Sequence, residues 1–268
     1  GDCCGTERMR DLSLGNRVAG RSADRTGQPE SLRCAAPGGP ALTWHGPALY
    51  PEYLTDWKIT LCPSDAAVDA NQIEQDLQAI LDGTLEKGAH YAQGDLNHDG
   101  VFDGKDQAIY LSLVRSYAYI PWAATCNEEM ATIIEAVEAC RQGGGAPSLA
   151  MENADKDLKA TGNEVTYDDV TVIGCGCGGG EVLYRLREGV ERFLITDINN
   201  PGASATAQSI IPVSFDLFAS GIYMSHFNHI PGGSNILYMD GHVAFMRYPD
   251  KYPMTRFLAG YFGSIKTM

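Results

Sequence analysis

The spacing of apolar residues in this chain changes near residue 181, and that change limits the folds open to it. Before this point, apolar side chains recur at helical intervals in residues 71–82, 105–119 and 127–142. After it, the interval shortens toward two, which is typical of strands with one exposed face. A helical half followed by a half rich in strands predicts an α+β fold with an antiparallel sheet.

Local signals set the expected bounds of these elements. Gly83 ends the first helix, Pro121 follows the second, and Asn127 caps the third. Residues 143–180 are predicted to be rich in loops, and Asp240-Gly241 is a strong hairpin turn signal. The predicted strands are 181–187, 191–196, 209–214, 221–227, 234–239 and 242–248.

Two domain assignments follow from this pattern. Residues 1–33 are polar and lack periodicity, so an irregular arm is predicted there. Residues 34–268 are predicted to form one globular domain. Within it, the helices occupy about 71–142 and the sheet about 181–248.

The charge of the chain excludes some partners. Its 34 acidic residues outnumber 20 basic ones, and the formal net charge is −14. Such a chain is a poor match for nucleic acid or for an anionic membrane surface. No run of apolar residues is long enough to span a bilayer, so no membrane-spanning segment is predicted.

Residues 95–106 (DLNHDGVFDGKD) have the spacing of a calcium loop. Gly100 stands where such a loop turns sharply, and the last position carries an aspartate where an EF-hand has glutamate. The alternative is an acidic turn that binds no metal. The predicted Ca²⁺ ligands are Asp95, Asn97, Asp99, the backbone carbonyl of Val101, Asp103 and Asp106.

The chain has eight cysteines, an even number that favours disulfides and an oxidising compartment over metal binding. Cys126 and Cys140 flank a predicted helix that spans roughly 21 Å, too far for a disulfide between them. Cys175 and Cys177 are the expected pair, and Cys34 with Cys62 is the second. The disulfide candidates are Cys34, Cys62, Cys126, Cys140, Cys175 and Cys177.

Four polar residues surround the last predicted hairpin: His226, His229, Asp240 and His242. A zinc site is one interpretation, and with it a metallohydrolase. The sequence favours local roles instead, in which His229 binds turn backbone while Asp240 and Gly241 form the turn. No motif of an activated nucleophile occurs, so no enzymatic activity is predicted.

Residues 229–243 (HIPGGSNILYMDGHV) resemble the prepilin-type His-x9-Asp-Gly domain, although ten residues rather than nine separate His229 from Asp240. The calcium segment separately resembles one half of a dockerin repeat; because only one half is present, cohesin binding is not implied. Further matches to the prepilin-type family are residues 48–56 (ALYPEYLTD), 62–65 (CPSD), 184–189 (YRLREG) and 192–197 (RFLITD).

The resemblance implies a pilin-like fold, with an N-terminal helical and loop part packed on a C-terminal antiparallel sheet. It also implies a structural subunit of an extracellular filament or secretion pseudopilus, whose partners are copies of itself. The long apolar N-terminal helix of such subunits has no counterpart in residues 1–33. The alternative is a monomeric, calcium-stabilised surface module that binds glycan or protein.

Overall fold

The described part of the chain folds into a small helical part and a larger part built around a sheet. The computed structural model describes residues 42, 44, 46–65, 68–85, 96, 100–113, 116–142, 156–194, 201–220, 227–229 and 232–265. Within them, no helix combines the length and the apolarity that a bilayer crossing requires.

The helical part lies at the N-terminal side of the described chain. It contains α1 (Gly46–Leu49), a 3-10 helix (Trp57–Thr60), α2 (Ala70–Leu81) and α3 (Gly104–Leu113). Asp69 begins α2, because its side chain accepts the N–H of Asn71 at 2.8 Å. The apolar face of α2 packs against Leu96 and against side chains of α3. Together they form a small buried cluster: Ile73, Leu77, Ile80, Leu96, Tyr110 and Leu111.

Eight strands are described, and four of them form the main sheet. The strands are β1 (Tyr117–Tyr119), β2 (Leu158–Lys159), β3 (Glu164–Tyr167), β4 (Val170–Ile173), β5 (Val182–Leu183), β6 (Pro212–Asp216), β7 (Gly233–Tyr238) and β8 (Val243–Arg247). The main sheet has the order β1-β6-β7-β8 and is antiparallel throughout. Two short antiparallel pairs, β2-β5 and β3-β4, complete the set.

Three α-helices accompany the strands: α4 (Asn127–Gln142), α5 (Pro201–Gln208) and α6 (Arg256–Ile265). Side chains of α4 and α6 join the inner face of the sheet in one large buried cluster. Met130 and Ile134 of α4 are in this cluster with Phe215 of β6 and Phe257 of α6. Burial of this apolar surface is the main favourable contribution to folding of the larger part.

The predicted α+β class is confirmed at this level, because the described chain contains helices and antiparallel strands, although two helices lie among and after the strands of the second half. The predicted helices 71–82 and 127–142 correspond to α2 and α4, and the last two predicted strands to β7 and β8. The predicted strand 209–214 overlaps β6. The arm predicted over residues 1–33 and most of the strand predicted over 221–227 lie outside the described residues.

Two local predictions are wrong, a third is incomplete, and one helix was missed. The helix predicted to reach residue 119 ends at Leu113, because Tyr117–Tyr119 pairs with β6. The strand predicted over 191–196 begins as the 3-10 helix Val190–Phe193. The segment 143–180, expected to be loops, contains β2, β3 and β4, and α6 was not predicted at all.

Candidate functional site

Three side chains with metal-binding atoms meet where the small helical part adjoins the main sheet. Cys62 follows the first 3-10 helix, Asp216 ends β6, and His229 precedes β7. The Cys62 Sγ lies 3.6 Å from His229 Nε2, and this Nε2 lies 2.9 Å from Asp216 Oδ2. The three donor atoms all lie within 4.8 Å of one another. We call these three residues the Cys-Asp-His cluster.

The cluster is largely shielded from solvent. Cys62 is 5% exposed, the Asp216 side chain 2% and the His229 side chain 25%. A carboxylate this deeply buried requires hydrogen-bond donors. Asn235 supplies two of them, because its backbone N–H lies 2.7 Å and its side-chain Nδ2 2.9 Å from Asp216 Oδ2.

A series of hydrogen bonds links the turn after Cys62 to Asn228, the residue before His229. The turn after Cys62 closes through the Asp65 N–H, which donates to the Cys62 carbonyl at 3.0 Å. The Ser116 hydroxyl donates to Asp65 Oδ2 at 2.9 Å, and Asn228 Nδ2 donates to the Ser116 carbonyl at 2.5 Å. This chain of bonds joins the segment of Cys62 to the residue before His229.

The surroundings of the thiol favour its protonated form. Burial is the main cause that raises the pKa of Cys62, and the nearby Asp216 and Asp65 carboxylates act in the same direction. The Ser64 backbone N–H opposes them by bonding to the sulfur. Burial also raises the pKa of the neighbouring Tyr117 to about 12, with Cys62 and Asp216 contributing. Both groups therefore carry their protons at neutral pH.

The geometry does not match a nucleophile activated by histidine. In such a relay, one ring nitrogen of the histidine faces the nucleophile and the other faces the carboxylate. Here the same atom, Nε2 of His229, faces both Cys62 Sγ and Asp216 Oδ2. The three donors converge on one point instead of forming a line, which is the arrangement of ligands around a cation.

The predicted calcium loop is described only in part. Asp95, Asn97 and Asp99 lie outside the described residues. In the rest, Gly100 has the left-handed φ of 81° that the turn requires, and Val101 is exposed.

The two carboxylates at the end of this loop have clear roles. The Asp106 side chain is fully buried, and its two oxygens accept the N–H groups of Leu96 at 2.6 Å and Asp103 at 3.1 Å. The Asp103 side chain accepts the N–H of Lys105 at 2.7 Å, at the start of α3. Asp106 thus joins the second and ninth positions of the loop, which closes it.

His229 does not belong to the hairpin turn of Asp240. The turn is formed by Asp240, whose Oδ1 accepts the His242 N–H at 3.1 Å, and by Gly241 with a φ of 89°. The His229 imidazole instead binds Asp216 of the neighbouring strand. His229 takes part in a different turn, because its carbonyl accepts the Gly232 N–H at 3.0 Å just before β7.

The histidine hairpin also fails as a zinc site. His229 bridges to the first residue of β7, whereas His242 bonds the backbone of its last residue, Tyr238. The length of that strand separates them by about 17 Å. His226 lies outside the described residues.

The structure changes both predicted disulfide pairs. Cys126 and Cys175 each take part in a disulfide, whereas Cys62 and Cys177 are buried free thiols. Pairing of Cys175 with Cys177 and of Cys34 with Cys62 is therefore wrong. The Cys175 N–H donates to the Glu128 carbonyl at 3.1 Å, which places Cys175 beside the first turn of α4. Cys34 and the side chain of Cys140 are outside the described part.

The sequence marks two residues of the Cys-Asp-His cluster but does not indicate that they lie close together. Cys62 and His229 stand in segments that carry the family resemblance, but 167 residues separate them. Asp216 lies in no recognisable motif, because the sequence around it is typical only of the end of a strand. Its one signal was an acidic residue between the apolar Phe215 and Leu217, both of which are buried.

The chain was compared with protein-family models, with curated proteins and with solved structures. None of the three comparisons found a match.

Proposed function

We propose that this chain is a non-enzymatic structural subunit of an extracellular filament or secretion pseudopilus, assembled from copies of itself and stabilised by calcium. The family resemblance suggested this role and a pilin-like fold. The observation that best supports it is an exposed apolar surface on the main sheet. We call this surface, formed by Leu237, Val243 and Phe245, the hairpin patch.

The hairpin patch lies on the outer face of β7 and β8. Leu237, Val243 and Phe245 are 38%, 62% and 56% exposed. Leu237 pairs directly with Val243, and Phe245 stands two residues further along β8, so the three side chains share a face. A group of large apolar side chains left in solvent on one sheet face marks a surface for association.

Charge makes a second copy a suitable occupant of this surface. Copies that each carry a formal charge of −14 repel one another over most of their surface. Strands β7 and β8 contain no acidic residue. The two strands of the patch therefore add no carboxylate to a contact between copies. Among the described strands, β8 also ends the order of the main sheet, so its outer edge pairs with no other described strand.

Electron microscopy and sedimentation in calcium test the assembly. The wild-type chain should form long, regular polymers, and the double variant Val243→Lys/Phe245→Lys should stay monomeric because it places charge on the patch. Ile173→Lys is the matched control: Ile173 is also exposed, but it lies on β4, outside the main sheet. A wild-type monomer at high concentration would refute the filament and favour the ligand-binding module.

Calcium binding is the second part of the proposal. The buried Asp106 carboxylate already draws two positions of the loop together through backbone N–H groups. Its oxygens and those of Asp103 provide the hard ligands that Ca²⁺ prefers. A bound ion would neutralise carboxylates in the loop and stabilise the start of α3.

A calcium-selective chelator tests this part without any activity assay. It should lower the melting temperature of the wild-type chain, because removal of a ligand that binds only the folded state destabilises that state. Asp95→Ala should already have the lower melting temperature and should not respond further. Asp82→Ala is a control with an acidic residue outside the loop. An unchanged wild-type melting temperature in the chelator would end the calcium proposal.

A further inference from the structure

The Cys-Asp-His cluster has the composition of a transition-metal site. Thiolate and imidazole are the protein ligands that zinc prefers, and a carboxylate is a common third. Calcium and magnesium, in contrast, take oxygen ligands. The cluster therefore selects a different class of cation from the acidic loop at 95–106.

The distances within the cluster fit zinc after a small movement. Zinc bond lengths of about 2.3 Å to sulfur and 2.0–2.1 Å to nitrogen place the two donors of a tetrahedral site about 3.6 Å apart. The Cys62 Sγ and His229 Nε2 are 3.6 Å apart. The same bond lengths give about 3.4 Å between nitrogen and oxygen. Nε2 and Asp216 Oδ2 are now 2.9 Å apart, a hydrogen-bond distance, so roughly half an ångström of opening admits the ion.

The surroundings of the cluster also resemble the support that metal ligands receive. Ligating carboxylates are held by further hydrogen bonds, and Asp216 Oδ2 accepts two from Asn235. These donors hold Asp216 in place before any ion arrives.

We infer that Cys62, Asp216 and His229 form a zinc site that fastens the small helical part of the chain to the main sheet. The Cys62 thiol gives up its proton to solvent as the Sγ–zinc bond forms. When zinc binds, the ring proton of His229, which now faces Asp216 from Nε2, is exchanged through solvent to Nδ1, and the Nε2 lone pair becomes free for the ion. Thiolate and carboxylate together balance the two positive charges of Zn²⁺, so the buried centre is neutral. Three protein ligands leave the fourth position of a tetrahedral site for water.

This inference is independent of the filament and of the calcium loop. It predicts a second cation, of a different class from calcium. This cation would bind where Cys62 meets His229, two residues that are 167 positions apart in the sequence. Binding there would contribute to folding stability, since the unfolded chain does not hold the three ligands together.

Cobalt and zinc binding by the full-length chain test it. After stripping with a zinc-selective chelator, one equivalent of Co²⁺ should produce the near-ultraviolet band of a cobalt–thiolate bond, and one equivalent of Zn²⁺ should abolish it. Elemental analysis should then find one zinc per chain. A folded wild-type chain that gives no thiolate band would overturn the site, whatever the variants do.

Variants locate the ion. Cys62→Ala, Asp216→Asn and His229→Gln should each lose the stoichiometric zinc, with circular dichroism recorded as a check of folding. Cys177→Ala is the matched control, because Cys177 is the other buried free thiol and should leave binding intact. Asn235→Ala, which removes one donor to Asp216, should weaken zinc binding by about 10–100-fold. Zinc retained by a folded Cys62→Ala variant would overturn the assignment.

Discussion

A thiol can be buried for packing alone, and Cys177 is such a case. Its sulfur accepts the Tyr184 N–H at 3.4 Å and lies 3.5 Å from the Ala123 carbonyl. Burial, with a smaller contribution from Glu129 and Asp157, raises its pKa to about 12. Since the thiolate is the reactive form, the side chain is both inaccessible and unreactive at ordinary pH.

We therefore expect iodoacetamide to leave Cys177 unmodified in the native chain at pH 8 and to modify it fully in denaturant, as measured by peptide mass spectrometry. The folded pKa lies above the value of 9.0 for a free thiol. The protonated thiol thus contributes stability below pH 9, and this contribution is lost as the pH rises toward 12. Cys177→Ala should lose less stability than wild type across that range. Equal labelling of native and denatured protein would contradict this assignment.

Residues of the Cys-Asp-His cluster illustrate which side chains a sequence can reveal. Cys62 and His229 stood out because they lie in recognisable segments, and their meeting depends on the order of the strands. Asp216 reaches them as the last residue of β6, beside β7 in the sheet. That order brings distant segments together, and no local spacing encodes it. The same reason hid the free state of Cys62 and Cys177, because no local spacing shows which cysteines meet in the folded chain.

At the scale of elements, predictions succeeded where the pattern was long. Helices α2 and α4 have several turns of apolar spacing, and Asp240-Gly241 marks the hairpin of β7 and β8. Strand β1 has only three residues, and its partner strand overrides their helical preference. The β3-β4 hairpin turns at Asp168 and Asp169, with φ of 48° and 60°. Left-handed turn positions usually carry Asn or Gly, so this pair of aspartates did not mark a turn.

The contact between α1 and α3 depends on a glycine. A Cβ atom added at Gly46 would lie 1.7 Å from the Ala108 carbonyl oxygen, a backbone atom that can move only with α3. We expect Gly46→Ala to lower the free energy of unfolding by about 1–3 kcal/mol, as overpacking does. Denaturant unfolding of the full chain measures it.

Gly104→Ala is the matched control for this prediction. Gly104 is the first residue of α3, and an added Cβ there has no atom within 4 Å. Because alanine favours helix over glycine, this variant should be neutral or more stable by up to about 1 kcal/mol. If Gly46→Ala were as stable as Gly104→Ala, the close packing of α1 on α3 would be refuted.

The disulfide-bonded cysteines act between elements. Cys126 directly precedes α4, Cys175 follows β4, and each takes part in a disulfide. We expect Cys126→Ala and Cys175→Ala each to lower the free energy of unfolding by about 2–5 kcal/mol, because each removes a disulfide. Denaturant unfolding of the oxidised chain measures the loss. Unchanged stability of either variant would contradict a stabilising disulfide at that position.

At the scale of the whole molecule, the two described parts have unequal cores. The core of the small helical part is formed by side chains of α2 and α3 together with Leu96. The larger part has a bigger core, formed by side chains of α4, α6 and the main sheet. Described contacts that join the parts include the bond from Ser116 to Asp65 and the approach of His229 to Cys62. A part with less buried apolar surface opens at a lower free energy than the rest of the molecule.

Native-state hydrogen exchange can resolve this difference. The amides of α2 should exchange through a partial opening, at a lower free energy than those of α4, β6 and β7, whose protection should approach the global value. Zinc should raise the protection of α2 specifically, because the Cys-Asp-His cluster joins that part to the sheet. Asp65→Asn should lower it, since the neutral amide is a weaker acceptor for the Ser116 hydroxyl. Equal free energies of exchange in α2 and α4, with and without zinc, would mean that the chain opens only as one cooperative unit.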